Sequence, residues 1–239
     1  MDNAGYTALT RQAGLLREMQ TLANNIANAS TTGYRAEGVM FSEHIKSLGP
    51  DSPSLSMASA AVRQTVLTQG TLTQTGGAFD LAIEGEGFFL IETPRGERLT
   101  RAGAFQPNEN GDLVTPDGNR ALDAGGAPVF IPQGLGQIGI SPDGTISAGD
   151  QLIGQVGLVV PLDPNTLVRE GGVMFDAQGG FAPAEDGRMV QGFLESANVN
   201  PILQIGRMIE VQRAYELGQS FMDKEDERIR SVIEANRAR

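Results

Sequence analysis

Few residues in this chain have the types and spacings that could do chemistry. His44 is the only histidine. One His cannot make a multi-histidine metal site and gives a Ser-His-Asp triad no strong claim, and a solvated loop histidine is expected. Gly85-Glu86-Gly87 has the first two glycines of a nucleotide-binding loop, but the third position is Leu90. No helical pattern follows, so no helix N-terminus would face a phosphate; a turn or bulge between strands is expected. Asn108, Asn110 and Asp112 alternate around Gly111, loosely like a Ca²⁺ loop, but the twelfth loop position is Asn119 rather than Glu. An Asn-Gly hairpin accounts for the cluster. Asp223, Glu225, Asp226 and Glu227 are candidate paired carboxylates, yet Lys224, Arg228 and Arg230 interleave with them. That pattern reads as a solvated, salt-bridged helix face. Catalytic, cofactor-binding and metal sites are all expected to be absent, and the chain is read as not an enzyme.

Composition narrows the classes further. The 239 residues allow one sizeable core or two small domains. The net charge of −11 argues against strong nucleic-acid binding and against docking on anionic lipid. There is no Cys, which excludes disulfides, thiolate metal sites and thiol nucleophiles. No apolar run approaches the ~20 residues that span a bilayer. Met1-Asp2-Asn3-Ala4 lacks the basic start of a secretory signal peptide. The chain therefore reads as cytoplasmic, or as exported by a route that removes nothing.

The elements that would position any site fall into three parts. Ala4 to Ala29 has no Pro, and Leu15, Met19, Leu22 and Ile26 recur at spacings of 4, 3 and 4. This is one stripe of a helix about 39 Å long at 1.5 Å per residue, with Gly33 as a stop. Asn200 and Pro201 offer an N-cap and first turn for a second helix. There Met208, Val211, Tyr215, Gly218, Met222, Glu225, Ile229 and Val232 alternate spacings of 3 and 4. That is a heptad seam with two faults, Gly218 and Glu225. Gly218 reads either as a place where another helix approaches closely or as a weak point in a frayed helix. Between the helices, short apolar runs such as Phe88-Phe89-Leu90-Ile91 alternate with turn signals such as Pro142-Asp143-Gly144, and an all-β region is expected. His44 to Ala61 reads as an extended or mobile connection. The expected organisation is an N-terminal helix in 1–35, a linker in 36–69, a β-rich domain in 70–195 and a C-terminal helix in 196–239. The fold class is α+β, with long terminal helices pairing as a coiled coil around an all-β middle.

Three segments then carry a resemblance. Ala23-Asn24-Asn25-Ile26-Ala27-Asn28-Ala29-Ser30-Thr31-Thr32-Gly33-Tyr34-Arg35 resembles the N-terminal signature of flagellar axial proteins. Gln69-Gly70-Thr71-Leu72-Thr73-Gln74-Thr75, Asp80 to Phe89, Thr100 to Phe105 and Asn110 to Val114 resemble the core shared by hook and rod proteins. Leu194-Glu195-Ser196-Ala197-Asn198-Val199-Asn200, with Met208-Ile209 and Gln212-Arg213-Ala214-Tyr215-Glu216, is similar to that family's C-terminal motif. The matches occur in the family's order and bracket the chain.

The resemblance implies a structural subunit of the flagellar rod. Its terminal helices would line a hollow helical tube, with the β-rich domain outside. It implies export through the flagellar type III apparatus without a cleaved signal, and assembly in the periplasm with further copies of itself and with rod proteins such as FlgC and FlgG. The start Met1-Asp2-Asn3-Ala4-Gly5-Tyr6 points to the proximal rod, with the distal rod as the alternative, and the compact length fits a rod subunit better than the larger hook protein. A secreted β-domain binding module is the alternative from another class. The expected assembly interface comprises Leu15, Met19, Leu22, Asn25, Ile26 and Asn28 on the first helix. On the second it comprises Met208, Val211, Tyr215, Gly218, Met222, Ile229 and Val232. The amides of Asn24, Asn25 and Asn28 are read equally as register-fixing contacts and as loosening or capping groups at the helix end.

Overall fold

A computed structural model describes residues 2–46, 55–134, 136–184 and 186–237, with the side chains of residues 2–4, 6, 41–46 and 55–63 outside that description. The side chain of His44 and the centre of the expected 44–61 connection therefore lie outside the described residues. The architecture is α+β with a β-rich middle.

Helix α1 spans Asp2–Ala27. It gives way to a turn closed by the Thr31 N–H donating to the Asn28 carbonyl at 3.0 Å. Gly33 follows at φ +70°, a left-handed conformation that costs glycine little. Helix α2 spans Pro201–Arg237. Its start is as the sequence indicates: Asn200 Oδ1 accepts from the backbone N–H groups of Ile202 at 3.1 Å and Leu203 at 3.2 Å. Two of the orphan donors of the first turn are thereby satisfied.

Much of the expected connection is paired strand. Strand β1 (Glu37–Lys46) and strand β2 (Leu55–Thr65) run antiparallel from Glu37↔Thr65 to Lys46↔Leu55, with a register shift at Met40/Phe41. This hairpin lies along α1.

The β-rich region is built on strand β3 (Leu72–Gln74), β4 (Leu81–Glu84), β5 (Phe88–Thr93), β6 (Gly96–Thr100) and the shorter strands that follow them. The centre is β5, whose first four residues are all buried. Successive side chains of a strand point to opposite faces, and here each face has its own core. Phe89 and Ile91 join Leu81, Ile83, Leu113, Ile146 and Val156. Phe88 and Leu90 join Leu99, Leu122, Val159 and Phe175. Edge-on ring contacts secure both sides, Phe89 against Phe105 at 5.3 Å and Phe88 against Phe175 at 5.8 Å.

The chain divides into two compact units. One comprises residues 1–27, 37–66 and 200–239; the other comprises 28–36 and 67–199. The β-rich unit thus includes the turn after α1, and the helical unit includes the hairpin.

The sequence motifs considered for chemistry take their bland forms. Gly85 and Gly87 sit at φ +91° and +130° in the turn from β4 to β5. Asn108 Oδ1 accepts from the N–H groups of Asn110 and Asp112, both at 2.9 Å, inside a hairpin joining Gln106–Pro107 to Leu113–Val114. On α2, Arg228 pairs with Glu225 and Arg230 with Asp226.

Candidate assembly interface

Within the helical unit α1 and α2 pack through Leu15, Leu22 and Val211, with Met19, Met208, Ala214 and Tyr215 against them. Three polar contacts fix the register. The Gln12 amide donates to the Tyr215 carbonyl at 2.8 Å, Arg207 pairs with Glu18 at 2.8 Å, and the Asn25 amide donates to Gln204 Oε1 at 3.2 Å. Positions climb on α1 as they fall on α2, so the helices run antiparallel. Gly218 supplies the room for Gln12: a Cβ there would sit 2.3 Å from Gln12 Nε2.

The expected interface residues thus separate into groups. Leu15, Leu22 and Val211 are buried inside the subunit, and Met19, Ile26, Asn28, Met208, Tyr215, Gly218 and Met222 are half-buried. Asn25 is spent internally as well: its amide donates to the Glu37 carbonyl at 2.8 Å and its oxygen accepts the Glu37 N–H at 2.9 Å. Ile229 and Val232 stay open, 41% and 46% exposed. The register explains why. It carries the first turn of α1 to about Glu225, so the last 12 residues of α2, about 18 Å, extend past it.

A second apolar stripe is absent from the expected set. Ile202, Ile205 and Ile209, and farther along Leu217 and Phe221, are exposed on α2, with Ile202 at 80%. The spacings of 3 and 4 among Ile202, Ile205 and Ile209, and of 4 between Leu217 and Phe221, carry the signal in the sequence, but the stronger heptad seam overshadows it. Leu217 and Phe221 also border a groove of about 580 Å³ between the helices, lined on the α1 side by Thr7, Ala8 and Arg11.

The β-rich unit holds a different feature that sequence reasoning missed. Glu195 ends the strand Phe193–Glu195, which pairs with β3. Its carboxylate meets the guanidinium of Arg35 at 2.8 Å and that of Arg101 at 3.2 Å. The side chains are 1%, 1% and 4% exposed for Glu195, Arg35 and Arg101. Arg101 also donates to the carbonyls of Ile83 at 3.2 Å and Gly85 at 2.6 Å, and Arg35 donates to that of Thr68. Burial pulls Arg101 down to about 10, opposed by the nearby Glu195 and reinforced by the like charge of Arg35. Arg35 is lowered for the same reason, again opposed by Glu195. Two cations thus share one anion out of water. In the sequence these are single charges 66 and 94 residues apart in segments of small and apolar residues, and no local pattern joins them.

Long helices at both ends and an apolar stripe left exposed on the second fit a subunit that associates through its helices. Residues 6–35 match the family described as flagella basal body rod protein. Residues 82–148 match the flagellar hook protein FlgE/F/G D1 domain, and residues 190–235 the flagellar basal body rod FlgEFG protein C-terminal region. The chain belongs to the flagellar basal-body rod protein family, and is a structural subunit of the basal-body rod. Within that family it is 41% identical to the flagellar basal-body rod protein FlgF of Caulobacter vibrioides, over 98% of each chain. It is 39% identical to FlgF of Mesorhizobium japonicum, over 93% of this chain and 92% of that one. It is 27% identical to the rod protein FlgG of Bacillus subtilis, over 97% and 98%.

Proposed function

We propose that the chain is a proximal-rod subunit of the FlgF type. It polymerises through α1 and α2, whose pairing is a coiled coil, into a hollow shaft that transmits torque for motility. One observation supports this above the rest: α2 keeps Ile202, Ile205, Ile209, Ile229 and Val232 exposed after its own chain has packed. An apolar surface of this kind on a helix marks an association site. The interface so proposed comprises those exposed positions together with the half-buried Met19, Ile26, Asn28, Met208, Tyr215, Gly218 and Met222. Leu15, Leu22, Asn25 and Val211 support it from within by holding the helix pair.

The partners are further copies of this chain and neighbouring rod proteins such as FlgC and FlgG. Delivery is through the flagellar type III export apparatus to the periplasmic rod. The role is mechanical, and the chain is not an enzyme. The higher identity to FlgF than to FlgG favours the proximal over the distal rod. The test is the position of an epitope-tagged copy in isolated basal bodies, seen by labelled electron microscopy. Label on the proximal rod is expected, and label along the distal rod would move the assignment there. Expressed, tag-tolerant protein absent from basal bodies would overturn the reading.

A further inference from the structure

The buried ionic centre takes one charge from each of the three family-matched segments: Arg35 from the first, Arg101 from the second and Glu195 from the third. Around it, segments distant in sequence are tied together inside the β-rich unit. Glu195 Oε1 accepts from the Gly70 N–H at 2.8 Å, and the Glu195 carbonyl accepts from the Gly33 N–H at 2.7 Å. Asn198 Oδ1 accepts from the Ala36 N–H at 2.6 Å, and its amide donates to the Thr68 carbonyl at 2.8 Å. The Ser196 N–H donates to the Thr71 carbonyl at 2.9 Å. Arg169 stacks on the Tyr34 ring at 4.6 Å and donates to the Arg35 carbonyl. The backbones meet too closely for side chains: a Cβ on Gly33 would lie 2.3 Å from Ala102 N, and one on Gly70 2.0 Å from Ser196 O.

We infer that Glu195 is a buckle: residues 33–36 and 68–70 dock on the β-rich unit only when the strand ending at Glu195 is in place. The unequal supply of partners sets this order. Arg101 keeps two carbonyl acceptors from its own region without Glu195. Arg35 has Glu195 as its ion-pair partner and Thr68 as its other acceptor, and its Nε and Nη2 are buried without a hydrogen bond. Desolvating that guanidinium before the carboxylate arrives leaves a buried charge uncompensated, which is strongly unfavourable. The contact also closes a loop of 160 residues between Arg35 and Glu195, a long-range closure that forms late. A chain made from its N-terminus therefore holds this turn undocked until residue 195 is available. The three motifs meet in intrachain closure, a role separate from contact between subunits and independent of the assembly reading.

Quenched-flow hydrogen exchange during refolding of the full chain tests the order. Protection at the amides of Gly33, Ala36, Gly70 and Ser196 should arise in one phase, about tenfold slower than at Leu113 and Val129 in the core. Protection of Gly33 and Gly70 together with the core, or before Ser196, would overturn the inference. Native-state exchange of Glu195→Ala tests the buckle itself. Gly33, Ala36 and Gly70 should exchange about a hundredfold faster while Leu113 and Val129 keep wild-type rates. Acceleration spread evenly over the core, or none, would overturn it. If Glu195→Ala does not fold, Glu195→Gln keeps the volume and an acceptor for Gly70 but loses the charge; it should show about a tenfold local acceleration, judged by the same amides.

Discussion

Gly103 shows how little room the β-rich unit leaves at single positions. A Cβ there would sit 1.8 Å from the Leu81 carbonyl oxygen and 2.8 Å from the Phe89 ring, and neither is a flexible chain end. The Gly103 carbonyl also accepts the Leu81 N–H at 2.9 Å. Gly103→Ala should therefore destabilise the protein by about 3 kcal/mol in urea unfolding, through overpacking. Asp143 makes a gentler prediction at the same scale. Its carboxylate accepts from the Thr145 hydroxyl at 2.8 Å and N–H at 3.1 Å, which hold it below the usual carboxylate range. A depressed folded value contributes stability above the unfolded value and loses it as pH falls through the folded one. Asp143→Asn should flatten the decline of stability below about pH 4, measured by urea midpoints across pH.

At the scale of elements, Gly218 separates two effects. Alanine there gains about 1 kcal/mol of helix propensity. It also displaces Gln12, whose hydrogen bond to Tyr215 contributes about as much. Gly218→Ala should then be near neutral in thermal melts. Gly218→Leu should cost about 2 kcal/mol, because the helices must part to admit it. The helices were legible in the sequence because a 3.6-residue period needs only one strand of text to be seen. The hairpin of β1 and β2 was not. Ser56, Ala58, Ser59, Ala60 and Ala61 are poor strand formers, and their order comes from pairing along α1, which no local pattern encodes. The same limit hid the ionic centre: Arg35, Arg101 and Glu195 acquire meaning only once the chain has closed. The seam from Met208 to Val232, with its faults at Gly218 and Glu225, outruns its partner: the register gives α1 to its first part and leaves Ile229 and Val232 open. Periodicity reports which face of a helix is apolar and is silent on the length of the partner.

At the scale of the whole molecule, the exposed stripe on α2 is the feature most open to test. Ile209→Glu places a charge on a surface that is already solvent-facing, so the folded subunit should tolerate it within about 0.5 kcal/mol. Motility of cells complemented with this variant should fall sharply while circular dichroism of the purified protein stays unchanged. Wild-type motility would remove Ile209 from the interface.

The sharing of β5 between two cores bears on how the β-rich unit fails under heat. With Phe89 and Ile91 committed to one side and Phe88 and Leu90 to the other, neither core can melt without dragging the strand from its neighbour. The two halves have no dividing plane of weak contact, so the layer behaves as a single laminate rather than two glued sheets. Calorimetry of the β-rich unit's transition in the intact chain should accordingly return one endotherm for both halves, its van't Hoff and calorimetric enthalpies in agreement. The two cores that share β5 should accordingly yield together.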